Sequence, residues 1–562
     1  MTKENLQSVI PNNDTENNQH SYKIILLCVV IIGLSLRLFF MHGRHFVDDE
    51  LGTLLWMKKD YHFLLTHFAS HWLTMNFYIA FLKLINQFGN GKAWVLVAPS
   101  LIGGMALIPI IYQLGLKVGA HKETALIASF LVAVNPFLIR YSVIIRSYSM
   151  LLAFAACALL LFFIWQKNKT WTNGVLFGVS LFLAFMMHAN TFYHAVFIGI
   201  LFFCTVYQKD KKNITIILPT IIAAIATIYF YFPLLDQILV YKQKFSQPSP
   251  APIDYLPELT WRFWGGGFYE VPSLILLGFG LWFSLKKNDS RLSLLLLGII
   301  TPLFLSSMAG VSVAKYAMGR FLITTLPIII LFIAEAVQTI SLHLKYSRFF
   351  MVFLTFSIFL TWLPHTSQVF NRQKVRPWHK IIVFLNKNLK GNDYILPLAR
   401  VADFNISFIS LPQHVDKGRI IKINHFFNQT FDCKKRIRIL AISDIPMSDS
   451  KTIYQAGQLR VLSYSGDCKE KIAQSILRDI KIALKDRISS KYTSHYRAMI
   501  QLLSALSLNN EIPKYISLYY ESKLIKLSGG GGNSLIRRRN YYLRHHRMID
   551  FDVMKNTFPM KF

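Results

Sequence analysis

Twelve apolar segments decide what this chain can fold into. They fall near residues 22–41, 72–88, 94–116, 123–139, 147–165, 173–188, 191–207, 213–233, 271–285, 291–310, 321–342 and 348–364. A helix needs about 20 predominantly apolar residues to cross a bilayer, and most of these windows supply them with their flanks. So many windows exclude a soluble enzyme, and a chain that is 53% hydrophobic and only 16% charged agrees. Met1 to Ser21 is polar, with neither a basic region nor an A-x-A-like site, so the first segment is expected to be an uncleaved anchor.

Short basic loops orient the segments. Lys117 with Lys122, Lys167 with Lys169, Lys209 with Lys211 and Lys212, Lys286 with Lys287, and Lys345 with Arg348 mark five cytoplasmic turns. Their alternation places 140–146, 188–190, 234–270, 311–320 and everything after 365 outside. With a cytoplasmic N-terminus this parity needs one early segment that does not span. The segment 72–88, broken by Thr74, Asn76, Lys83, Asn86 and Gln87, is expected to lie on the outer surface as an amphipathic helix. The expected fold is therefore an all-α polytopic membrane protein of about 11 transmembrane helices plus that surface helix. A small extracytoplasmic α/β domain follows, since 378–467 mixes short β-rich runs (Tyr394–Leu398, Arg436–Ile442, Leu459–Ser463) with a helical stretch at 378–389. The boundaries expected are a cytoplasmic tail at 1–21, a membrane domain at 22–365, an α/β domain at 366–468 and a helical, basic region at 469–562.

The formal charge of +32 is concentrated beyond residue 365, where 34 Lys and Arg face 14 Asp and Glu. No nucleic-acid recognition motif accompanies it, and anionic lipid head groups are the expected partner of a membrane-tethered basic region. Cys28, Cys157 and Cys204 fall in apolar segments as small core residues; Cys433 and Cys468 are either an extracytoplasmic disulfide or two unrelated thiols.

Against this basic background, His45-Phe46-Val47-Asp48-Asp49-Glu50-Leu51 stands out, directly after the first span. A carboxylate at a membrane boundary is solvated, paired or used. Two arginine-tyrosine stretches share its expected face: Arg140-Tyr141 to Arg146-Ser147-Tyr148, and Lys315-Tyr316 to Arg320-Phe321. Snorkelling would explain such arginines on the cytoplasmic side, but these fall outside. Guanidinium groups bind phosphate through a planar fork and stay charged when desolvated. Acids and arginines together suit a reaction that deprotonates a nucleophile and releases a phosphate.

In their order, Asp49-Glu50, Arg140 to Leu151, Met187-His188-Ala189 and Gly319-Arg320-Phe321 to Pro327 resemble the GT-C membrane glycosyltransferases. The similarity covers roughly 22–365 and is greatest to the branch holding protein O-mannosyltransferases and lipid A aminoarabinose transferases. It implies an inverting transfer from a polyprenyl-phosphate sugar to a lipid, glycan or protein acceptor, outside the bacterial inner membrane. The implied catalytic acids are Asp49, Glu50 and Asp48; the implied phosphate ligands are Arg320, Lys315, Arg146 and Arg140. Tyr148, His188 and Trp264 are candidates for substrate binding, with His194 and Trp261 beside them. The chain departs from the pattern in having Met75-Asn76-Phe77-Tyr78 on the surface helix and no arginine near Ala98-Pro99-Ser100. No metal or other cofactor is implied, although Asp48-Asp49-Glu50 could hold a divalent cation. A flippase, or a polymerase or ligase of lipid-linked glycans, would use the same lipid and the same rim. A transporter would be expected to show paired inverted repeats, and none is visible.

Overall fold

The computed structural model describes residues 16–41, 75–89, 93–188, 191–204, 271–286, 294–308 and 322–374 except 345, together with parts of 50–66 and position 225. In the C-terminal part it describes 393–397, 437–443, 451–456, 459–466, 469–484 and scattered positions of 381–388 and 495–511. The chain divides into two compact units, 1–44 with 56–370, and 45–55 with 371–562.

The first unit is helical. Its elements are α1 (Glu16–Met41), α2 (Tyr61–Thr66), α3 (Asn76–Gly89), α4 (Ala93–Lys117), α5 (Lys122–Val134), α6 (Pro136–Ser142), α7 (Tyr148–Lys167), α8 (Trp171–Met187), α9 (Thr191–Phe202), α10 (Val271–Lys286), α11 (Leu297–Met308), α12 (Leu326–Leu342) and α13 (Ser347–Lys374). Among the described residues, five helices are long and apolar enough to cross a membrane, or six if the bent pair α5–α6 is one span. Four shorter apolar helices accompany them. The chain is a multi-pass membrane protein, and the segment expected as a further span at 213–233 lies, apart from position 225, outside the described residues.

α7 packs against both α4 and α8, and α5 against α1, α4 and α12. α12 is central: 94% of the apolar window around it is buried, against 11% for the window in α13, which turns Phe349, Val352 and Phe356 outward. Outward apolar residues need lipid rather than protein to cover them. The same holds for Cys28, expected in the core but exposed on α1, because the bilayer is as apolar a surrounding as the core. α3, inside the segment expected on the membrane surface, has 14 residues. At 1.5 Å per residue it reaches about 21 Å, short of the hydrocarbon thickness. It buries Tyr78, Ile79 and Leu82 and exposes Phe81, Leu84 and Phe88, the spacing of an amphipathic helix.

α10 crosses α12 at Gly280. A Cβ there would stand 1.9 Å from the carbonyl oxygen of Phe332, a backbone atom that cannot swing away. Gly278, two residues earlier, would meet nothing within 4 Å. Gly280→Ala is therefore expected to force the helices apart and cost about 1–3 kcal/mol, whereas Gly278→Ala leaves stability unchanged or raises it through helix propensity. Thermal unfolding of the two variants in detergent checks this; equal midpoints would contradict the close crossing.

The segment expected as one span at 123–139 is instead broken, with α5 and α6 meeting at 59°. Pro136 has no N–H and pushes the preceding residue out of the helical region. Asn135 accordingly takes φ −63° and ψ 123°, and its side chain caps α6 by accepting from the Leu138 N–H at 3.1 Å. The helix then runs on through Ser142, so Arg140 and Tyr141, expected in a loop, stand on α6.

In the second unit, β1 (Asp393–Pro397), β2 (Ile437–Ser443), β3 (Lys451–Ala456) and β4 (Leu459–Gly466) form a sheet of order β1-β2-β4-β3. β1 and β2 are parallel, and the other pairs antiparallel. α14 (Lys469–Leu484) presents Ile472, Ala473, Ile476, Leu477 and Ile480 to Ile439, Ala441 and Leu462 of the sheet. Sheet and helix thus share one core across the expected boundary at 468. Arg438 joins β2 to β1 through an ion pair with Asp393, whose hydrogen bond holds the guanidinium pKa above its ordinary value.

Candidate functional site

The α6–α7 junction brings Arg140 and Arg146 together with Tyr141, Tyr148 and His188. α6 ends at Ser142, the chain turns through 143–147, and α7 begins at Tyr148. The turn is tight, since the Arg146 N–H donates to the Ile144 carbonyl at 2.8 Å. Ser100 on α4 donates to the Arg146 carbonyl at 2.8 Å, and its hydroxyl shares a 3.0 Å hydrogen bond with Tyr78 of α3. Two helices thereby fix the backbone that carries Arg146.

The side chains form a stack. The Arg146 guanidinium lies 5.8 Å from the ring centre of Tyr148, within cation–π range. Tyr148 sits 5.1 Å from the His188 ring at 34° and meets Tyr141 edge-on at 4.9 Å. Arg140 lies 6.0 Å from the Tyr141 ring. Arg146, Tyr148 and His188 are 5%, 3% and 1% exposed, so this is a desolvated group of one fixed charge and three rings. His188 caps the end of α8 in extended geometry, and Thr191 pins it by donating through Oγ1 to the His188 and Ala184 carbonyls, both at 2.8 Å. A guanidinium held rigidly against an aromatic face loses little on receiving a phosphate oxygen, because its geometry is already set.

His194 is not part of this stack. Its Nε2 lies 3.0 Å from the Ala155 carbonyl, between α9 and α7, and the residue is buried. Glu50 belongs to the second unit and is fully buried, as is Thr53 three residues on. Asp48, Asp49, Lys315, Arg320, Trp261 and Trp264 lie outside the described residues, as do Cys433 and Cys468. Sequence reasoning passed over Tyr78, Ser100 and Thr191. Ser100 stands in the sequence only as the place where an arginine is absent, and nothing local shows that it braces a carbonyl 46 positions away.

Comparison with known proteins bears on the same region. The family model described as dolichyl-phosphate-mannose-protein mannosyltransferase matches residues 70–246, under a third of the chain but including Arg140, Arg146, Tyr148 and His188. Among solved structures, ArnT from Cupriavidus metallidurans in the apo state is similar with a TM-score of 0.50 and 11% identity, over 78% of this chain and 97% of that one. ArnT bound to undecaprenyl phosphate gives 0.50 and 10%, with the same coverages. The Archaeoglobus fulgidus oligosaccharyltransferase in the apo form gives 0.47 and 14%, over 71% of this chain, which spans only 61% of that protein. A search of curated protein sequences finds no match. The family model agrees with the GT-C resemblance seen in the sequence, and the likeness to ArnT is one of polytopic fold.

Proposed function

We propose that this chain is an inverting glycosyltransferase that moves a sugar from a polyprenyl-phosphate donor to an envelope acceptor on the outer face of a bacterial inner membrane. The observation that carries the proposal is the buried stack of Arg146, Tyr148 and His188, inside the span matched by the mannosyltransferase family model. A desolvated guanidinium at a helix junction suits a lipid-linked phosphate, and the ArnT neighbour holds undecaprenyl phosphate. In the proposed reaction the acceptor hydroxyl oxygen attacks the anomeric carbon and its proton passes to Asp49. The bond from that carbon to the phosphate oxygen breaks, and the electron pair leaves with polyprenyl phosphate. Asp48 and Glu50 orient the base. Arg146 and Arg140, with Lys315 and Arg320, meet the charge that grows on the departing phosphate. Tyr148, His188 and Trp264 bound the sugar. The acceptor is a lipid, a glycan or a protein side chain.

The test is transfer of a radiolabelled sugar from a synthetic polyprenyl phosphate by the purified full-length chain in lipid nanodiscs, supplied with envelope fractions as acceptor. Label in an acceptor fraction, with free polyprenyl phosphate as co-product, supports the assignment. Movement of the intact donor between leaflets of proteoliposomes, with no transfer, would establish a flippase instead.

The orientation has its own test. From the alternation of the basic turns we propose that residues 366–562 lie in the periplasm; long domains cross largely regardless of their charge. An alkaline phosphatase fusion near residue 450 is expected to be active. A fluorescent cytoplasmic reporter that lights up at that position would reverse the topology.

A further inference from the structure

Arg37 is a fully buried arginine in the middle of an apolar run, one turn before the end of α1. Its Nη1 donates to the Gly33 carbonyl of its own helix at 3.0 Å and to the Ala133 carbonyl of α5 at 2.9 Å. Among the described residues its Nε and Nη2 have no hydrogen-bond partner, and no carboxylate pairs with it. A buried guanidinium without a counter-ion is costly, and a membrane span tolerates one where it has a use.

The Ala133 carbonyl shows the use. Ala133 is the penultimate residue of α5, whose last four carbonyls have no N–H of their own to accept. Pro136 aggravates the shortage by removing one N–H from the next turn. A cation at this end also complements the helix dipole. On its other side Arg37 meets Gly104 of α4, where a Cβ would lie 3.4 Å from Nε and 1.9 Å from the Ser142 hydroxyl. Ser142, whose hydroxyl donates to the Leu138 carbonyl at 2.6 Å, is the last residue of α6 and leads directly into 143–147. α1, α4 and α5 therefore meet at one guanidinium, and Ser142 of α6 packs on the same glycine of α4.

We propose that Arg37 is a positioning residue: it clamps the end of α5 and so sets the bend that delivers Arg140, Arg146 and Tyr148. The link to substrate rests on the glycosyltransferase reading; the mechanical link does not. Two measurements keep them apart. Ile144 is 4% exposed, so Ile144→Cys in the full-length chain is expected to react slowly with a membrane-impermeant maleimide, measured against the chain lacking the added cysteine. Arg37→Met, which keeps the apolar stem, is expected to speed labelling about tenfold by freeing the junction locally. Arg37→Lys, which retains a cation and a donor, returns labelling close to the parent. Gly104→Ala, whose Cβ would press on the Ser142 hydroxyl and reach Arg37 Nε at 3.4 Å, disturbs the same corner and should open the junction as Arg37→Met does. With a polyprenyl-phosphate sugar, Arg37→Met should lower kcat/KM for the donor about tenfold while the acceptor KM changes little. Unchanged labelling in Arg37→Met overturns the proposal. So does a Lys variant as open as the Met one. If Arg37→Met does not accumulate as folded protein, Arg37→Lys and Gly104→Ala decide by the same labelling. Accelerated labelling in a chain that transfers no sugar would uphold the clamp and overturn the glycosyltransferase reading.

Discussion

Asp49→Asn is expected to lower sugar transfer at least about a hundredfold while the chain still inserts and folds, because base catalysis contributes roughly two to four powers of ten in rate. The amide keeps the size and hydrogen-bonding reach of the side chain and loses the capacity to take a proton. Three acids follow the first span of a chain that has 29 acidic residues among 562, and the proposed mechanism assigns the base to Asp49. Glu50, the next residue, is fully buried, and the proposed mechanism gives it an orienting role. Glu50→Gln is accordingly expected to cost less than Asp49→Asn. The measurement is single-turnover transfer from a polyprenyl-phosphate sugar, with donor binding assayed separately. Near-normal turnover in Asp49→Asn would remove the base assignment. An acceptor that is already an ionised phosphate needs no base, and the same variant should then raise the acceptor KM and spare kcat.

What the sequence made legible follows from the range over which each cause acts. Hydropathy and basic turns are local, so α1, α4, α7, α12 and α13 stand where the apolar segments place them. His188 falls at the end of α8 as its position after Met187 suggests. The break at Asn135-Pro136 was also written locally, yet periodicity hides it: both halves are apolar, and only the missing proline N–H separates them. Arg37 is invisible for the opposite reason. One charge inside an apolar run looks tolerated until the Ala133 carbonyl, 96 positions away, explains it. Non-local pairing limits the second unit too. β1, β2 and β4 coincide with the β-rich runs, but the parallel register of Asp393 with Arg438 is a product of folding across 45 residues. β3 is not legible because it is polar at its ends and its pairing is irregular near Thr452 and Tyr454.

The largest effect within the membrane unit is expected at Arg146. If its guanidinium grips the donor phosphate, Arg146→Ala should lose about 3–4 kcal/mol of transition-state stabilisation, roughly two to three powers of ten in kcat/KM. The buried stack sharpens this beyond a charge at a rim. Tyr148 lies under the guanidinium at 5.8 Å, and Ser100 holds the Arg146 carbonyl from behind, so plane and backbone are both constrained. A lysine has the charge but neither the flat face for Tyr148 nor the fork for two phosphate oxygens. Arg146→Lys is therefore expected to recover only part of the activity. Tyr148→Leu, which removes the aromatic face and leaves the charge, should cost about 0.5–2 kcal/mol, mainly in donor affinity. Ser100→Ala should resemble Tyr148→Leu rather than Arg146→Ala, because it loosens the backbone and spares the charge. Full activity in Arg146→Lys would reduce the residue to a point charge. Full activity in Arg146→Ala would make the stack packing, and the phosphate grip would then fall to the arginines and lysine elsewhere in the chain.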